Sequence, residues 1–242
     1  MPDTRPPLPD PGLAVVIGAG GGIGAALVAG LQARGDGAEV IGLGRHTVPA
    51  LDYRDEASLQ AAAQWVMQRC AASGQSLRLL IVATGFLHGD AGQPERSFTN
   101  LDAAYLQQVF AINTLGPALV MKHFLPLMPK QGRCVAGFVS AKVGSIGDNA
   151  LGGWYGYRAS KAALNQLVKT ASIELTRRNK QSICVALHPG TVATALSQPF
   201  AKTGLNVRPA DEAAADLLQV LDGLQTADTG CLVDYCGQKL PF

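Results

Sequence analysis

The sequence predicts an open α/β fold: a doubly wound, mostly parallel sheet of about seven strands with helices on both faces. Three observations predict it. Strand-like and helix-like segments alternate along the whole chain, which implies parallel strands joined by right-handed crossovers. The strand-like segments are largely apolar runs, Leu77–Ala83 the clearest with Arg78 its one charged residue, as expected of strands covered on both faces. A glycine-dense turn, Gly18 to Gly24, joins the first strand to the first helix, and five of its seven residues are glycine.

In chain order, Leu13–Gly18 is a short β-type run and Gly22–Arg34 an alanine-rich helix. Glu39–Leu43 is strand-like, and Ala50–Tyr53 fits a further short strand. Glu56–Ala72 repeats Leu59, Ala63, Val66 and Cys70 at helical spacing. Leu77–Ala83 is a buried strand. Leu101–Met128 reads as a long helix, capped by Asn100 or Asp102 and ended by Pro126 and Pro129, with Pro117 kinking it. Arg133–Ser140 is a strand, Trp154–Asn179 a second long helix, and Ser182–His188 a strand ending in Pro189-Gly190. Pro209–Leu224 is a helix with acids in its first turn, and Cys231–Asp234 a last strand. Residues 1–12 are proline-rich and read as a flexible lead; residues 13–242 read as a single domain.

With 48% hydrophobic and 16% charged residues, the composition is that of a globular chain. A net charge of +2 and no basic run longer than two residues argue against nucleic acid as a partner. Leu13–Leu31 is long and apolar enough to resemble a membrane span, but its glycine cluster breaks it into strand, turn and helix, so no membrane is expected. The five cysteines form no CxxC, and no secretory signal opens the chain. Free thiols in a reducing cytoplasm are therefore expected, with a Cys231–Cys236 bridge as the alternative. No His, Cys or acid cluster has metal-ligand spacing.

The glycine turn suits a pyrophosphate. Without Cβ atoms its backbone N–H groups can close on phosphate oxygens at a helix N-terminus. The spacing Gly18, Gly22, Gly24 is GxxxGxG, a variant of the Rossmann fingerprint. After the second strand, where an acid would hold a ribose 2′-hydroxyl, the chain carries Arg45, which suits a 2′-phosphate. NADP(H) is favoured on that ground, with NAD(H) left open. Asp52 fits either the adenine edge or a helix cap. Tyr157 and Lys161 stand at i and i+4 on one helix face. A tyrosine can donate the proton that a carbonyl reduction needs, and a neighbouring cation should lower its pKa.

Taken together, the glycine turn, Ala83-Thr84-Gly85, Asn113, the strand ending at Ser140, Tyr157/Lys161 and Pro189-Gly190-Thr191-Val192-Ala193-Thr194 resemble the short-chain dehydrogenase/reductase family. The resemblance spans Leu13 to Asp234. Gly144-Ser145-Ile146, Gly152 to Arg158 and Asp234-Tyr235-Cys236-Gly237 resemble its C-factor (cell–cell signalling) branch. The resemblance implies a Rossmann-type catalytic domain that acts on a small carbonyl or alcohol substrate. It gives Gly18, Gly22 and Gly24 to the pyrophosphate, Ile23 to the cofactor, and Gly85 to the adenosine side. Asn113 holds a water in a proton relay to Lys161. Tyr157 is the general acid/base, Lys161 also holds the nicotinamide ribose, and Pro189, Gly190, Val192 and Thr194 pack on the nicotinamide. The cofactor carries the hydride chemistry while the protein supplies the proton. It further implies a homodimer or homotetramer built on the two long helices.

Three positions depart from the pattern. Ile17 stands where the family has threonine, and Val82-Ala83-Thr84-Gly85 where it has Asn-Asn-Ala-Gly. Registered on Gly144, the substrate-polarising serine falls on Ala141. Ser140 is the nearer substitute, if a bulge turns it to the site, and Ser145 the other. Trp154 and Tyr155 read as substrate mouth or subunit contact, His88 and His188 as structural, and Ala195–Arg208 as a lid hinged at Gly204. The leading function is an NADP(H)-dependent carbonyl reductase or alcohol dehydrogenase. Its rival, prompted by Ala141 and Ala83, is a nucleotide-binding signalling or sensor protein with vestigial catalysis.

Overall fold

In the computed structural model the described residues are 12–35, 37–90, 92–200 and 207–242. Most of the proline-rich lead and the Gly204 hinge lie outside them. The chain alternates as β1 (Leu13–Ile17), α1 (Gly22–Gln32), β2 (Val40–Leu43), α2 (Glu56–Ser73), β3 (Leu77–Val82), α3 (Ala103–Phe110), α4 (Gly116–Phe124), β4 (Cys134–Val139), α5 (Tyr155–Arg178), β5 (Ser182–His188), β6 (Thr191–Val192), β7 (Val207–Arg208), α6 (Ala210–Gly223), β8 (Leu232–Asp234) and β9 (Lys239–Leu240). The main sheet has seven strands in the order β2-β1-β3-β4-β5-β8-β9 among the described residues. All pairings are parallel except β8 with β9.

Alternation along β1 shows why two helical layers are needed. Leu13, Val15 and Ile17 point into a core with Leu59, Val66, Phe124, Leu164 and Val168, from α2, α4 and α5. Ala14 and Val16 point the other way, onto Leu27 and Leu31 of α1 and Leu217, Leu218 and Leu221 of α6. α1 and α6 are also tied by a two-pronged Arg34–Asp222 pair at 3.0 and 2.8 Å. β1 lies between β2 and β3, so the strand order reverses there and a crevice opens beyond the carboxyl ends of the strands.

Three sequence expectations change. Ala50–Tyr53 is not a strand; its amides are taken up by local turns, Leu51 N–H on the Gly44 carbonyl and Asp52 N–H on Ser58 Oγ. The seventh strand is instead β9, two residues long and therefore without a readable period. The expected helix Leu101–Met128 is segmented. α3 widens into a π turn at Ala111–Leu115, continues as α4 and tightens to a 3-10 turn at Leu125–Leu127. Pro117 explains the break: it has no N–H for the carbonyl of Asn113 four residues back. β6 and β7 form a separate two-stranded sheet that the sequence did not suggest.

Candidate active site

The first turn of the site is built by close approach. Gly18 adopts φ +92°, and a Cβ on Gly24 would lie 2.1 Å from the Gly18 carbonyl oxygen, so α1 can start here only on glycine. Gly20, Gly21 and Gly22 are exposed, α1 has no side-chain cap, and a Cβ on Gly20 would meet nothing within 4 Å. That open, uncapped N-terminus fits a pyrophosphate. A Cβ on Gly22 would lie 2.8 Å from the Thr194 methyl, so the segment after β5 arches over the glycine turn.

At the end of β2, Arg45 is exposed and makes no hydrogen bond among the described residues. Asp52 is engaged by Arg54, accepting from its backbone N–H and from its guanidinium at 2.7 Å. These bonds, with the charges of Arg54 and then Arg45, hold the Asp52 carboxyl down at about 2. Asp52 therefore neutralises Arg54, and the cap of α2 is Asp55, which accepts from Ala57 N–H. Thr84, next to Ala83 where the family has asparagine, bonds the Tyr53 hydroxyl at 2.9 Å.

The π turn carries Asn113 into the centre of the site. Its buried amide accepts from Phe86 N–H at 2.7 Å and donates to the Phe86 carbonyl at 2.8 Å and to Ser160 Oγ at 3.1 Å. Both amide protons are thus committed to pinning the loop after Gly85 onto α5. π turns of this kind recur at functional sites.

Tyr157 and Lys161 sit on one buried face of α5. Lys161 Nζ donates to the Val139 carbonyl at 2.9 Å and lies 5.9 Å from the Tyr157 ring centroid. A Cβ on Gly85 would lie 4.0 Å from Nζ and 3.9 Å from Asn113 Oδ1, so these residues converge on one small volume. Burial drives the ammonium of Lys161 down to about 8 and the phenol of Tyr157 up to about 12. The expectation of a lowered tyrosine pKa is overturned for the chain alone. Lys161 is bonded to a carbonyl beside the ring rather than to the hydroxyl, so desolvation dominates. The outcome is a tyrosine that keeps its proton at neutral pH.

Ser140, the expected catalytic serine, is already engaged. Its hydroxyl is buried and donates to Asn165 Oδ1 at 2.7 Å, two turns along α5 from Tyr157, while its N–H continues the pairing with β5 at Leu187. No bulge turns it round. Ser145 Oγ instead accepts from Asp148 N–H and closes a loop. Ala141 is the residue that shares a cluster with Tyr157 and Leu87, against which Val143, Trp154, Leu196 and Phe200 pack. Trp154 meets Tyr157 edge-on at 6.1 Å and Phe200 at 5.3 Å, while Tyr155 turns outward, partly exposed.

Sequence reasoning missed what holds Trp154. Its φ of +53° is left-handed, costly for a tryptophan, and α5 begins at the next residue. Glu95 imposes this start. Its carbonyl accepts from Trp154 N–H at 2.5 Å, and its buried carboxylate accepts from Gly156 N–H at 3.1 and 3.3 Å. A carboxylate at a helix N-terminus is favoured by the dipole. No sequence pattern marks it, because the cap comes from a distant loop.

At the far end, Pro189 is buried, Gly190 adopts φ +77° against Tyr235 and Arg208, and Val192 is buried beside them. His188 packs near Tyr235 and burial takes it down to about 4, so it is neutral at physiological pH. Arg208 lies over the Tyr235 ring and pairs with Asp216. Ile23, half-buried in the first turn of α1, packs against the α1–α6 core.

Residues 12–205 match the family model described as short chain dehydrogenase. The chain is 36% identical to the C-signal protein of Myxococcus xanthus over 143 residues, 59% of this chain and 82% of that protein. It is 31% identical to 1-hydroxy-2-glutathionyl-2-methyl-3-butene dehydrogenase of Rhodococcus sp. (strain AD45), covering 89% and 93% of the two chains. Among solved structures, an NADPH-bound carbonyl reductase from chicken fatty liver superposes with a TM-score of 0.81 at 26% identity, covering 96% of this chain and 99% of that one.

Proposed function

The chain belongs to the short chain dehydrogenase family of oxidoreductases, and from that premise we propose that it is an NADP(H)-dependent carbonyl reductase, or in reverse an alcohol dehydrogenase, with Tyr157 as general acid/base. The observation that carries this reading is the convergence of Lys161 and Asn113 on the space beside Gly85, with the Tyr157 ring 5.9 Å from Lys161 Nζ in an apolar cluster. A nicotinamide dinucleotide bound in the crevice supplies the hydride. Gly18, Gly22 and Gly24 shape the cradle for its pyrophosphate, Ile23 flanks it, Gly85 lines the adenosine side, and exposed Arg45 offers its guanidinium to a 2′-phosphate. Pro189, Gly190, Val192 and Thr194 back the nicotinamide end.

Tyr157 gives its proton to the carbonyl oxygen as negative charge develops there. Held at about 12, it is protonated throughout the neutral range, and the phenolate it becomes is stabilised by the adjacent ammonium of Lys161. Lys161 also has reach for the cofactor ribose. Return of the proton runs from solvent through Lys161. The Asn113 side chain is occupied, so the acceptor for a relay water is its main-chain carbonyl, which Pro117 leaves without an α-helical donor.

Among the described residues no helix is long and apolar enough to cross a membrane. All five cysteines are free, which supports work in a reducing compartment such as the cytoplasm. Exposed Leu115 and Ile173, on the segments expected to pair, support a homo-oligomer. A second reading, a nucleotide sensor with little turnover, is favoured by Ala141 alone; it predicts cofactor binding without reduction of any carbonyl.

The test is fluorescence titration of NADPH and NADH against the wild type and Arg45→Gln. A charge-assisted phosphate bond is worth about 1.5–3 kcal/mol, so the variant should lose roughly 10- to 100-fold in NADPH affinity and nothing for NADH. Equal losses for both nucleotides contradict the 2′-phosphate role, and no binding of either by the wild type contradicts the whole reading.

A further inference from the structure

Around Tyr157 the neighbouring hydroxyls and amides are already committed. Ser140 donates to Asn165, Asn113 spends both amide protons on Phe86 and Ser160, and Ser160 donates to the Tyr157 carbonyl, while Ser145 is drawn into a loop of its own by Asp148 N–H. Buried with Tyr157 in one apolar cluster are Ala141 and Leu87, neither of which carries a donor side chain. Val143, Trp154, Leu196 and Phe200 complete the wall.

We propose that this site takes apolar carbonyl compounds that carry their own activation, with 1,2-diketones bearing aryl or alkyl groups as the type, because Ala141 leaves Tyr157 to polarise the carbonyl without a companion hydroxyl. The proposal rests on the reductase reading above. An adjacent acyl group withdraws electrons from the reacting carbon, so less help from the protein is needed. A plain ketone lacks that help, and losing one well-placed donor costs on the order of 10²–10³ in rate. Polyhydroxylated substrates are disfavoured because their hydroxyls would be buried without partners. In the reaction the carbonyl carbon accepts a hydride from a reduced nicotinamide, the C=O π pair moves to oxygen, and oxygen takes the Tyr157 proton. The dione becomes a hydroxyketone, the cofactor is oxidised by two electrons, and Tyr157 is reprotonated from solvent.

The experiment compares phenylpropanedione with propiophenone, which share a skeleton, on the wild type, Ala141→Ser and Ala141→Cys. The cysteine matches serine in size but is a poor donor. The infrared carbonyl stretch of propiophenone bound with the oxidised cofactor gives a readout without turnover. The wild type should prefer the dione by about 10²-fold or more in kcat/KM. Ala141→Ser should raise propiophenone reduction at least about 10-fold and shift its carbonyl stretch to lower frequency, whereas Ala141→Cys does neither. Equal wild-type rates on the two ketones, preference for glyceraldehyde, or a serine variant unchanged in both selectivity and stretch overturns the proposal while leaving the reductase reading intact. No turnover of any carbonyl by any of the three proteins overturns both.

Discussion

Replacing Glu95 with leucine should weaken the start of the catalytic helix, and the structure sets the size of the effect. The Glu95 carboxylate is 3% exposed and holds Gly156 N–H in the first turn of α5. Leucine orphans that buried N–H, at a cost of about 1–3 kcal/mol. It also removes a negative charge from the helix N-terminus, worth roughly 0.3–2 kcal/mol. Relief of the carboxylate's own desolvation offsets part of this. A net loss of about 1–3 kcal/mol lowers Tm by roughly 2–4 °C per kcal/mol in a chain of this length. Glu95→Gln keeps an oxygen acceptor and should lose only the charge contribution, about 1 kcal/mol. Tyr157 follows Gly156 directly, so Glu95→Leu should also reduce kcat, while NADPH affinity, set at the glycine turn, stays within about threefold by the same separation of sites. Thermal melts, steady-state kinetics and NADPH titration on the two variants decide it. If leucine and glutamine are equally stable and equally active, Glu95 does not position the helix.

Two further perturbations follow from the site. With Lys161 at about 8, its charge is lost from the free enzyme as pH rises through that value, so kcat/KM for reduction should fall above about pH 8. The same depression from its ordinary 10.5 means the unfolded state holds that proton more tightly. Stability relative to Lys161→Met should therefore be lowest below pH 8 and recover between 8 and 10.5, as paired thermal melts would reveal. Gly24→Ala drives a Cβ to 2.1 Å from the Gly18 carbonyl, and NADPH affinity should fall by more than about 100-fold, or the fold be lost; near-normal titration would refute the close-packed turn.

The fold was legible because β1, β3, β4 and β5 are largely apolar on both faces and the crossover helices lie between them. Ala50–Tyr53 misled because local turns outcompeted a ladder, and β9 was too short to show a period. Tyr157, Lys161 and Asn113 were readable as spaced motifs. The serine was not. Which way Ser140 faces depends on whether β4 bulges, and its tie to Asn165 is a tertiary fact. The raised pKa of Tyr157 likewise comes from burial, which no i, i+4 spacing encodes. Glu95 and the Tyr53–Thr84 bond escaped because both join segments distant in sequence.

The central claim is that Tyr157 protonates a carbonyl while the crevice holds the reduced cofactor. NADPH oxidation with phenylpropanedione, measured for the wild type and Tyr157→Phe after titration has established cofactor binding by both, tests it most directly. The account predicts steady turnover by the wild type and a loss of about 10²–10⁴-fold in the variant at unchanged NADPH affinity. A phenylalanine variant that turns over as fast as the wild type would contradict it.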